Sequence, residues 1–415
     1  MEKTSFTTYQ KLVIGLLAIT QFTVVLDFMV MSPLGDILMK SLDITTKQFG
    51  FAVSSYAFSA GISGLLAAGF ADKYDRKKLL LFFYVGFILG TLFCGLAPDY
   101  HTLVAARIIT GLFGGVIGSI SMAIITDIFS IEQRGRVMGV VQMGFAASQV
   151  LGIPIGLYLA NIWGWHAPFL MIVALSIGIT LGIINVLKPV TRHLGLKTEH
   201  NVFKHFAHVL GTTNYQIAFL GTALLSVGGF LMMPFGSAFA INNLHLTQEQ
   251  LPVVFMVTGI SSLVIMPIVG RLSDKFDKFK VFFVGSIWAV IMTIVYTHLT
   301  PVPLWVVLIL NILLFAGIMS RMIPSTSLMT AIPKMQDRGA FMSINSSLQQ
   351  IAGGIASICA GFIIVQKDKY SPLENYPTLG YISAVIIVLC IWLVYRVSVI
   401  VKHKIGPKES VSETA

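Results

Sequence analysis

Twelve long apolar runs recur along the chain, and they constrain its fold more than any other feature. A helix needs about 20 apolar residues to cross a hydrocarbon core roughly 30 Å thick, because backbone polar groups in lipid must be satisfied internally. The runs cover residues 12–34, 48–70, 79–97, 102–126, 137–160, 168–187, 215–241, 252–270, 281–299, 303–331, 340–365 and 379–395. The sequence therefore predicts an all-α membrane protein with twelve transmembrane helices.

The composition agrees with a protein whose solvent is largely lipid. Of the 415 residues, 55% are hydrophobic and 11% are charged, which leaves too little polar surface for a soluble globule of this size. The net charge of +10 lies in short tracts between apolar runs, so we do not expect nucleic acid as a partner. Three cysteines lie inside apolar runs without metal-type spacing, so we expect no disulfide, no metal and no cofactor; they are Cys94, Cys359 and Cys390.

The basic residues indicate an orientation. If the N-terminus lies inside, 22 of the 28 Lys and Arg residues fall in the termini and loops on that side. The loops on the other side hold only Lys40, Lys47, Lys367 and Lys369. Because cytoplasmic loops are enriched in Lys and Arg, we expect a multi-pass inner-membrane protein with both termini in the cytoplasm.

Short strings repeat at an offset of about 200 residues and divide the chain in two. The matched strings are MSPLG at 31–35 and MMPFG at 232–236, ADKYD at 71–75 and SDKFD at 273–277, and QRG at 133–135 and DRG at 337–339. The longest polar connector lies between them, at 188–214. We predict two pseudo-symmetric six-helix bundles, at 1–187 and 215–415. Parallel repeats of this kind place a substrate site between the halves, near the midplane, and expose it alternately to either side.

Four strings in or beside the predicted spans, LDFMVMSPLG, AGFADKYDRKKLLL, RIITGLFGG and GIPIGLYLANIWGWHAPF, resemble motifs of the major facilitator superfamily. The string AGFADKYDRKKLLL at 68–81 is similar to the signature Gly-x-Leu-Ala-Asp-Arg-x-Gly-Arg-Lys, with Ala68 and Asp75 in place of glycines. RIITGLFGG at 107–115 resembles the Arg-x-x-x-Gly motif of span four. GIPIGLYLANIWGWHAPF at 152–169 resembles the span-five signature of the bacterial drug and sugar efflux branch, with His166 where Arg is usual. LDFMVMSPLG at 26–35 resembles the start of the drug:proton antiporters.

The resemblance implies a monomeric secondary transporter with alternating access. Its expected activity is proton-coupled efflux of a drug-like compound, a sugar or an organic anion, so its partners are that substrate, protons and the bilayer. Proton-coupled uptake or facilitated transport is the alternative. The sequence contains no GxxxxGK[ST] string for ATP-driven pumping and no HExxH string, so we do not expect an enzyme. A non-transporting membrane sensor is a further alternative.

Two opposite charges lie at similar depth inside predicted spans. A charge there costs at least about 2.5–3.5 kcal/mol on insertion scales, so each needs a reason to exist. The helical rise places Asp27 roughly 10 Å and Arg107 roughly 8 Å from the same membrane surface, so a contact between them is plausible. In one interpretation Asp27 binds a proton as its contact with Arg107 or its solvent access changes. In the other, a static ion pair locks the N-terminal half.

A third buried charge, Arg321, lies near mid-depth of span ten. The spans of the second half contain no acidic residue that could neutralise it. Arg321 would therefore hold an anionic group of the substrate, or it would hydrogen-bond carbonyls and amides of neighbouring helices. Both interpretations are open from the sequence.

Other polar residues inside the spans are candidates for substrate binding. Thr20, Thr23 and Asp27 follow spacings of three and four, which predicts one cavity-facing surface of span one and makes Thr23 a candidate ligand. Amides occupy one helix face on span five and one on span eleven. They would either hydrogen-bond the substrate or hold helices together. These amides are Gln142, Gln149, Asn345 and Gln349.

Two further sets are expected to control conformation. The family resemblance implies that Asp72, Arg76 and Asp127 latch the halves on the cytoplasmic side in the outward-facing state, and solvated loop charges are the alternative. In span five, Gly152, Pro154 and Gly156 match the efflux signature. Pro154 would bend that helix, and the glycines would permit close approach of a neighbour, so we expect a gate element there.

Overall fold

The computed structural model describes residues 6–67, 73–191, 194 and 202–405. Twelve helices of the described part are long and apolar enough to cross a membrane, which confirms the predicted number of spans. The α-helices are α1 Thr8–Val30, α2 Gly35–Leu42, α3 Thr46–Ala67, α4 Arg76–Gly95, α5 Tyr100–Ile128, α6 Ile131–Ala147, α7 Ile153–Trp163, α8 Ala167–Val186, α9 Val202–Gly211, α10 Thr213–Phe230, α11 Gly236–Asn242, α12 Leu251–Lys275, α13 Lys278–Thr297, α14 Leu304–Ala331, α15 Arg338–Ile363 and α16 Tyr376–Ile405.

The first span differs from the predicted continuous run at 12–34. Helix α1 begins at Thr8 and ends at Val30, and after a turn the chain continues as α2 to Leu42. The turn contains Pro33, which has no backbone N–H to donate within a helix. Asp36, which lies beyond the predicted run, is therefore part of a second helical segment.

The seventh span breaks at the equivalent position. Helix α10 ends at Phe230, a short 3-10 turn covers Met233–Phe235, and α11 begins at Gly236. Pro234 lies in this break, 201 residues after Pro33. The MSPLG and MMPFG strings thus correspond to one structural feature that occurs once in each half.

The fifth span changes its helical pitch near the middle. A π-helical turn over Ser148–Gly152 joins α6 to α7, and Pro154 lies in the first turn of α7. Helix α16 also departs from its predicted bounds, since it runs to Ile405 rather than residue 395. The extension carries basic residues, which end the apolar run but do not end the helix.

The helices pack as two bundles of six spans each. The first contains α1 to α8 and the second α10 to α16, in agreement with the predicted fold class. Helix α9 of the connector packs on the second bundle, where Val209 is fully buried beside Tyr215 and Phe341. The exact domain bounds at 187 and 215 remain a prediction.

Contacts between the bundles differ between their two ends. We call the end that carries Thr8 and Ile405 the terminal end and the opposite end the distal end. Towards the distal end the backbones touch: a Cβ added to Gly50 would lie 2.7 Å from the Ser357 carbonyl, and one on Gly259 would lie 2.9 Å from the Val150 Cα. Helices α3 and α15 stay in contact farther down, where a Cβ on Gly64 would lie 3.1 Å from the Ser347 Oγ.

Spans five and eight separate towards the terminal end. A Cβ added to Gly135 or Gly139 on α6, or to Gly270 on α12, would meet nothing within 4 Å. Helix α12 packs mainly on α7 and on the π-helical turn of span five, and hardly on α6. The distal end is therefore sealed, whereas a gap remains between α6 and α12.

Candidate functional site

An ion pair lies inside the first bundle between α1 and α5. The Arg107 Nη1 donates to Asp27 Oδ2 at 2.8 Å and to the Asp27 carbonyl at 3.3 Å. From α4, Thr91 Oγ1 donates to Asp27 Oδ1 at 3.1 Å. The Asp27 side chain is 0% and that of Arg107 1% exposed, so both carboxylate oxygens have donors and neither charge reaches solvent.

The Arg107 guanidinium also lies on an aromatic ring. Its central carbon is 4.5 Å from the centroid of Tyr56 on α3, within the range of a cation–π contact. The Arg107 Nε is buried without a hydrogen-bond partner. Arg107 therefore retains one unused donor although its charge is paired, which leaves it able to take a second acceptor.

Aromatic rings connect this pair to the second bundle. The Tyr56 ring lies 5.3 Å from the Phe28 ring, and Phe28 lies 5.8 Å from Phe230 of α10. Phe28 follows Asp27 in sequence, and Phe230 is the last residue of α10 before the helix break. A displacement of Arg107 or of Tyr56 therefore has a short route of packed rings to the interface between the bundles.

The polar stripe of α1 faces a different neighbour from the one expected. Thr23 Oγ1 lies 2.8 Å from the Tyr84 hydroxyl of α4, and both Thr20 and Thr23 are fully buried. Their hydroxyls also bond carbonyls of α1. The stripe thus faces the interior of the first bundle and not the gap between bundles. The expectation that Thr23 lines the cavity is wrong for this structure, because a helical period shows which residues share a face but not what that face meets.

The two glutamines of span five lie seven residues apart on one helix face. Gln149 Nε2 lies 3.9 Å from the Met29 sulfur of α1, and the Gln149 carbonyl packs on Gly259 of the other bundle. Gln142 lies two turns towards the terminal end on the same helix face and is exposed. Its face also carries Gly139, beside which the structure has open space.

The amides of α15 lie on the opposite bundle at a comparable level. Gln349 is exposed, and its carbonyl accepts from Ser226 of α10 at 2.7 Å. Asn345 is partly buried, and its side-chain oxygen has no hydrogen-bond partner. One turn closer to the distal end than Gln349, Gly353 packs on the Phe230 ring. The amides of both bundles therefore begin near the Phe28–Phe230 contact and extend towards the terminal end.

Arg321 lies within the second bundle. Its side chain is 6% exposed, and the guanidinium carbon is 5.9 Å from the ring centroid of Phe282 on α13. Its Nε and Nη2 atoms are buried without hydrogen-bond partners. Among the described residues, no carboxylate lies within ion-pair distance of Arg321. Within the described part of the chain it is a buried cation without a carboxylate partner, and two of its three nitrogens lack acceptors.

The expected latch lies partly outside the described residues, since Asp72 is among those not described. Arg76 Nε lies 3.4 Å from Asp127 Oδ2, so the remaining two members form an ion pair between α4 and α5 of the first bundle. The Arg76 side chain is mostly buried. The geometry is therefore that of a bonded cluster rather than of separately solvated charges.

The expected gate residues frame the π-helical turn. Gly152 lies against the Leu26 side chain of α1, and Gly156 packs on Val30 and Pro168. The glycines thus bring span five close to α1, while Val150 in the same turn touches the other bundle. Such π-helical turns occur frequently at functional sites.

Sequence reasoning missed Thr91 and Tyr56, which complete the surroundings of the ion pair. A single threonine or tyrosine in an apolar run has no distinguishing spacing. Extending the depth estimate for Asp27 and Arg107 to the neighbouring spans would find both, because Thr91 of α4 and Tyr56 of α3 contact the pair at the same level.

Comparison with known proteins agrees with this architecture. The model of the Major Facilitator Superfamily matches residues 17–357 and 218–413. The uncharacterized MFS-type transporter YceJ of Bacillus subtilis is 28% identical over 64% of this chain and 68% of its own length. Multidrug resistance protein 2 of the same organism is 22% identical over 70% of this chain and 75% of its own.

The fold is shared with a solved transporter. The crystal structure of a D-xylose-proton symporter superposes with a TM-score of 0.76 at 17% identity, covering 94% of this chain and 98% of the symporter. Twelve spans in two bundles, a helix break repeated in both halves and a family match along most of the chain lead to one assignment. The chain belongs to the major facilitator superfamily and is a membrane transporter rather than an enzyme.

Proposed function

We propose that this transporter exports a small molecule in exchange for protons, as a monomer in the inner membrane with the terminal end in the cytoplasm. The observation that carries the proposal is the Asp27–Arg107 pair, sealed within the first bundle at 2.8 Å. A buried carboxylate next to an arginine changes the charge of its surroundings when it takes up a proton. A static pair in the same place would hold the bundle together without responding to protons.

Proton binding at Asp27 would act on the interface between the bundles. The neutral acid no longer holds the Arg107 guanidinium as an ion partner, so Arg107 can move relative to the Tyr56 ring. Tyr56 packs on Phe28, which packs on Phe230 of the second bundle. The proton then favours whichever arrangement of the bundles fits the released arginine, and it shifts the equilibrium by its difference in affinity between the two.

The proposed substrate site lies in the gap on the terminal side of the Phe28–Phe230 contact. Gln142 and Gln149 face it from span five, and Asn345 and Gln349 face it from α15. Amides both donate and accept hydrogen bonds, so they suit neutral polar groups of a drug-like compound or a sugar. The similarity to multidrug resistance protein 2 supports export of a drug-like compound.

Arg321 is proposed to hold an anionic group. Two of its guanidinium nitrogens lack acceptors, and a carboxylate or phosphate would provide two in the geometry that guanidinium prefers. The guanidinium lies beside Phe282 within the second bundle. An organic anion is therefore the substrate class that would use both the amides and Arg321.

The conformational elements have proposed roles at different levels. Arg76 and Asp127, with Asp72, form the cytoplasmic latch of the outward-facing state. Gly152, Pro154 and Gly156 set the pitch of span five, so that one π-helical turn touches α1 and the other bundle together. The latch needs to contribute only about 1–3 kcal/mol to separate two populated states.

Transport in proteoliposomes tests this function. A thermal-shift screen against sugars, organic acids and cationic dyes first selects ligands that raise the unfolding temperature. Under an imposed pH gradient, a selected ligand should then move opposite to the proton flux, with the proton flux followed by an internal pH dye. Movement in the same direction would show symport and uptake, and ligand movement without proton flux would show facilitated transport.

Labelling in cells tests the orientation. Single cysteines that replace Lys188 and Lys369 in a cysteine-free background lie at the terminal and distal ends respectively, and both positions are exposed. We expect an impermeant maleimide to reach position 369 in intact cells and position 188 only after the membrane is opened. Labelling of both positions in intact cells would contradict the orientation predicted from the basic residues.

A further inference from the structure

A buried carboxylate joins the two bundles at the distal end. The Asp36 side chain on α2 is 1% exposed. Its Oδ1 accepts from Asn242 Nδ2 of α11 at 2.7 Å, and its Oδ2 accepts from Lys40 Nζ at 2.8 Å and from Gln248 Nε2 at 2.5 Å. Two of these three donors belong to the second bundle, so Asp36 bonds across the interface.

The surrounding contacts cross the same interface. Lys40 Nζ also donates to Asn242 Oδ1 at 3.2 Å, and Ser237 Oγ donates to the Ser32 carbonyl at 2.8 Å. Asn161 of span five donates to the Gln248 carbonyl at 2.8 Å. The two helix breaks, with their prolines, thus bring α2 and α11 together so that a polar cluster closes the distal end.

The arrangement of charge is suited to a contact that must open. Lys40 lies one turn from Asp36 on the same helix, so the ion pair is kept when the bundles part. Only the neutral amides of Asn242 and Gln248 are withdrawn, and water can replace their hydrogen bonds. Opening therefore strands no charge, whereas a cross-bundle ion pair would separate two.

We propose that Asp36, Asn242 and Gln248 form a clasp that closes the distal gate and sets the equilibrium between the two orientations of the bundles. The inference rests on alternating access in the proposed function. Asp36 acts here as a positioning residue, because it holds the bundles together at a distance from the amides of the substrate site. The clasp is distinct from the Asp27 pair, which lies wholly within the first bundle.

The cysteine-free full-length protein in nanodiscs, with Ser32→Cys as a reporter, tests the clasp. Ser32 is 5% exposed, and only its backbone carbonyl takes part in the cluster, so the substitution leaves that bond in place. The labelling rate with a soluble maleimide then reports opening of the distal end, without substrate or pH gradient. Asp36→Asn and Asn242→Asp should each raise this rate about tenfold, which corresponds to about 1.4 kcal/mol.

Exchange of the two side chains provides the rescue. In the double variant Asp36→Asn with Asn242→Asp, the carboxylate moves to α11, where Lys40 Nζ already lies 3.2 Å from the oxygen of the native residue. Slow labelling should return. Fast labelling in the double variant, or slow labelling in both single variants, would overturn the clasp.

Two more variants keep the test decisive. Asp43→Asn removes an ion pair of 3.0 Å with Lys369 that crosses the same end but is exposed, so it should change the rate less than about twofold. Gln248→Ala removes one amide from a loop and serves as the test if Asp36→Asn or Asn242→Asp fails to fold. It should raise the labelling rate, and an unchanged rate would count against the clasp. Failure of the proposed function would leave these labelling rates unaffected, because they need neither protons nor substrate.

Discussion

Each bundle buries an arginine well inside a span, Arg107 in the first and Arg321 in the second, and the two have different surroundings. In the first bundle Arg107 has a carboxylate at 2.8 Å and an aromatic ring at 4.5 Å. In the second, Arg321 has an aromatic ring at 5.9 Å and two nitrogens without acceptors. Among the described residues, a duplicated fold thus has a neutral ion pair in one half and a buried cation without a carboxylate partner in the other.

This difference separates two kinds of chemistry. A paired carboxylate can take up a proton, so on our proposal the charge of the Asp27–Arg107 pair responds to protons. The charge of Arg321 stays fixed because an arginine stays protonated, so its site would respond to an anion that arrives. The comparison leads us to assign proton coupling to Asp27 and the charged part of the substrate to Arg321.

The largest expected effect is at Asp27. Asp27→Asn keeps the size and hydrogen-bonding reach of the acid but cannot exchange a proton. We expect pH-driven transport in proteoliposomes to fall to the level of protein-free vesicles, while substrate binding and downhill exchange persist. Any pH dependence of substrate affinity in the native protein should disappear, since a competing proton enters the linkage.

A double variant distinguishes this role from a static pair. If the pair only locks the bundle, Asp27→Asn destabilises the fold by stranding Arg107, and adding Arg107→Gln restores both stability and transport. If Asp27 carries the proton, the double variant folds but stays inactive. Active pH-driven transport by the double variant would therefore exclude Asp27 as the proton carrier.

Replacing each of these two buried arginines by methionine should change the free energy of unfolding next most, and with opposite signs at Arg107 and Arg321. Arg107→Met leaves the Asp27 carboxylate buried without its partner, which should destabilise the protein by about 3–5 kcal/mol. Arg321→Met removes an uncompensated buried charge and should stabilise the ligand-free protein by about 1–3 kcal/mol. Thermal unfolding in detergent checks both, and a loss of stability in Arg321→Met would show that unseen partners satisfy Arg321.

An anionic ligand should stabilise the native protein but not Arg321→Met, and so offset the difference in their free energies of unfolding. An anionic substrate at 100 times its dissociation constant stabilises the folded protein by about 2.7 kcal/mol. We expect this shift in the native protein and its loss in Arg321→Met, whereas a neutral ligand held by the amides should shift both proteins equally. An anion that stabilises Arg321→Met as much as the native protein would return Arg321 to a structural role.

Sequence alone predicted the elements that depend on composition and spacing. The number of spans follows from apolar length, and the similar depth of Asp27 and Arg107 follows from helical rise. The repeat of MSPLG and MMPFG was visible as a string, but its meaning as a break in both spans was not, because a proline bends, caps or ends a helix according to its neighbours.

What the sequence could not supply is the partner of each face. Thr23 shares a stripe with Asp27, but α4 covers that stripe, and Tyr84 takes its hydrogen bond. Asp36 falls beyond the predicted first span, because the apolar run ends at residue 34. Its spacing of four to Lys40 was a local signal of a helix, whereas Asn242 lies 206 residues away and only packing brings it near.

The smallest effect concerns the repeated aspartates before α4 and α13. Asp75 Oδ1 accepts from two backbone N–H groups, of Lys77 at 2.9 Å and of Val190 at 3.0 Å. Asp277 instead accepts from the Lys280 N–H at 3.1 Å and pairs with Lys402 Nζ at 2.7 Å. In the first bundle, the chain after the last span is bonded through the Val190 backbone N–H. In the second, the last span is bonded through the Lys402 side chain, which is 65% exposed.

Lys402→Ala should therefore lower stability only slightly, and in a pH-dependent way. Partial burial raises the pKa of Asp277, but the bonds from Lys402 and Lys280 outweigh it and leave the pKa below its ordinary value of 3.8. A carboxylate with a lowered pKa in the folded protein stabilises above its unfolded pKa, and this contribution is lost as the pH falls through the folded value. We expect Lys402→Ala to cost about 0–1 kcal/mol at pH 7, less in high salt, and nothing well below pH 3.8. Unfolding midpoints of both proteins across that range check this, and an equal difference at every pH would show that Lys402 acts through packing of its aliphatic chain instead of its charge.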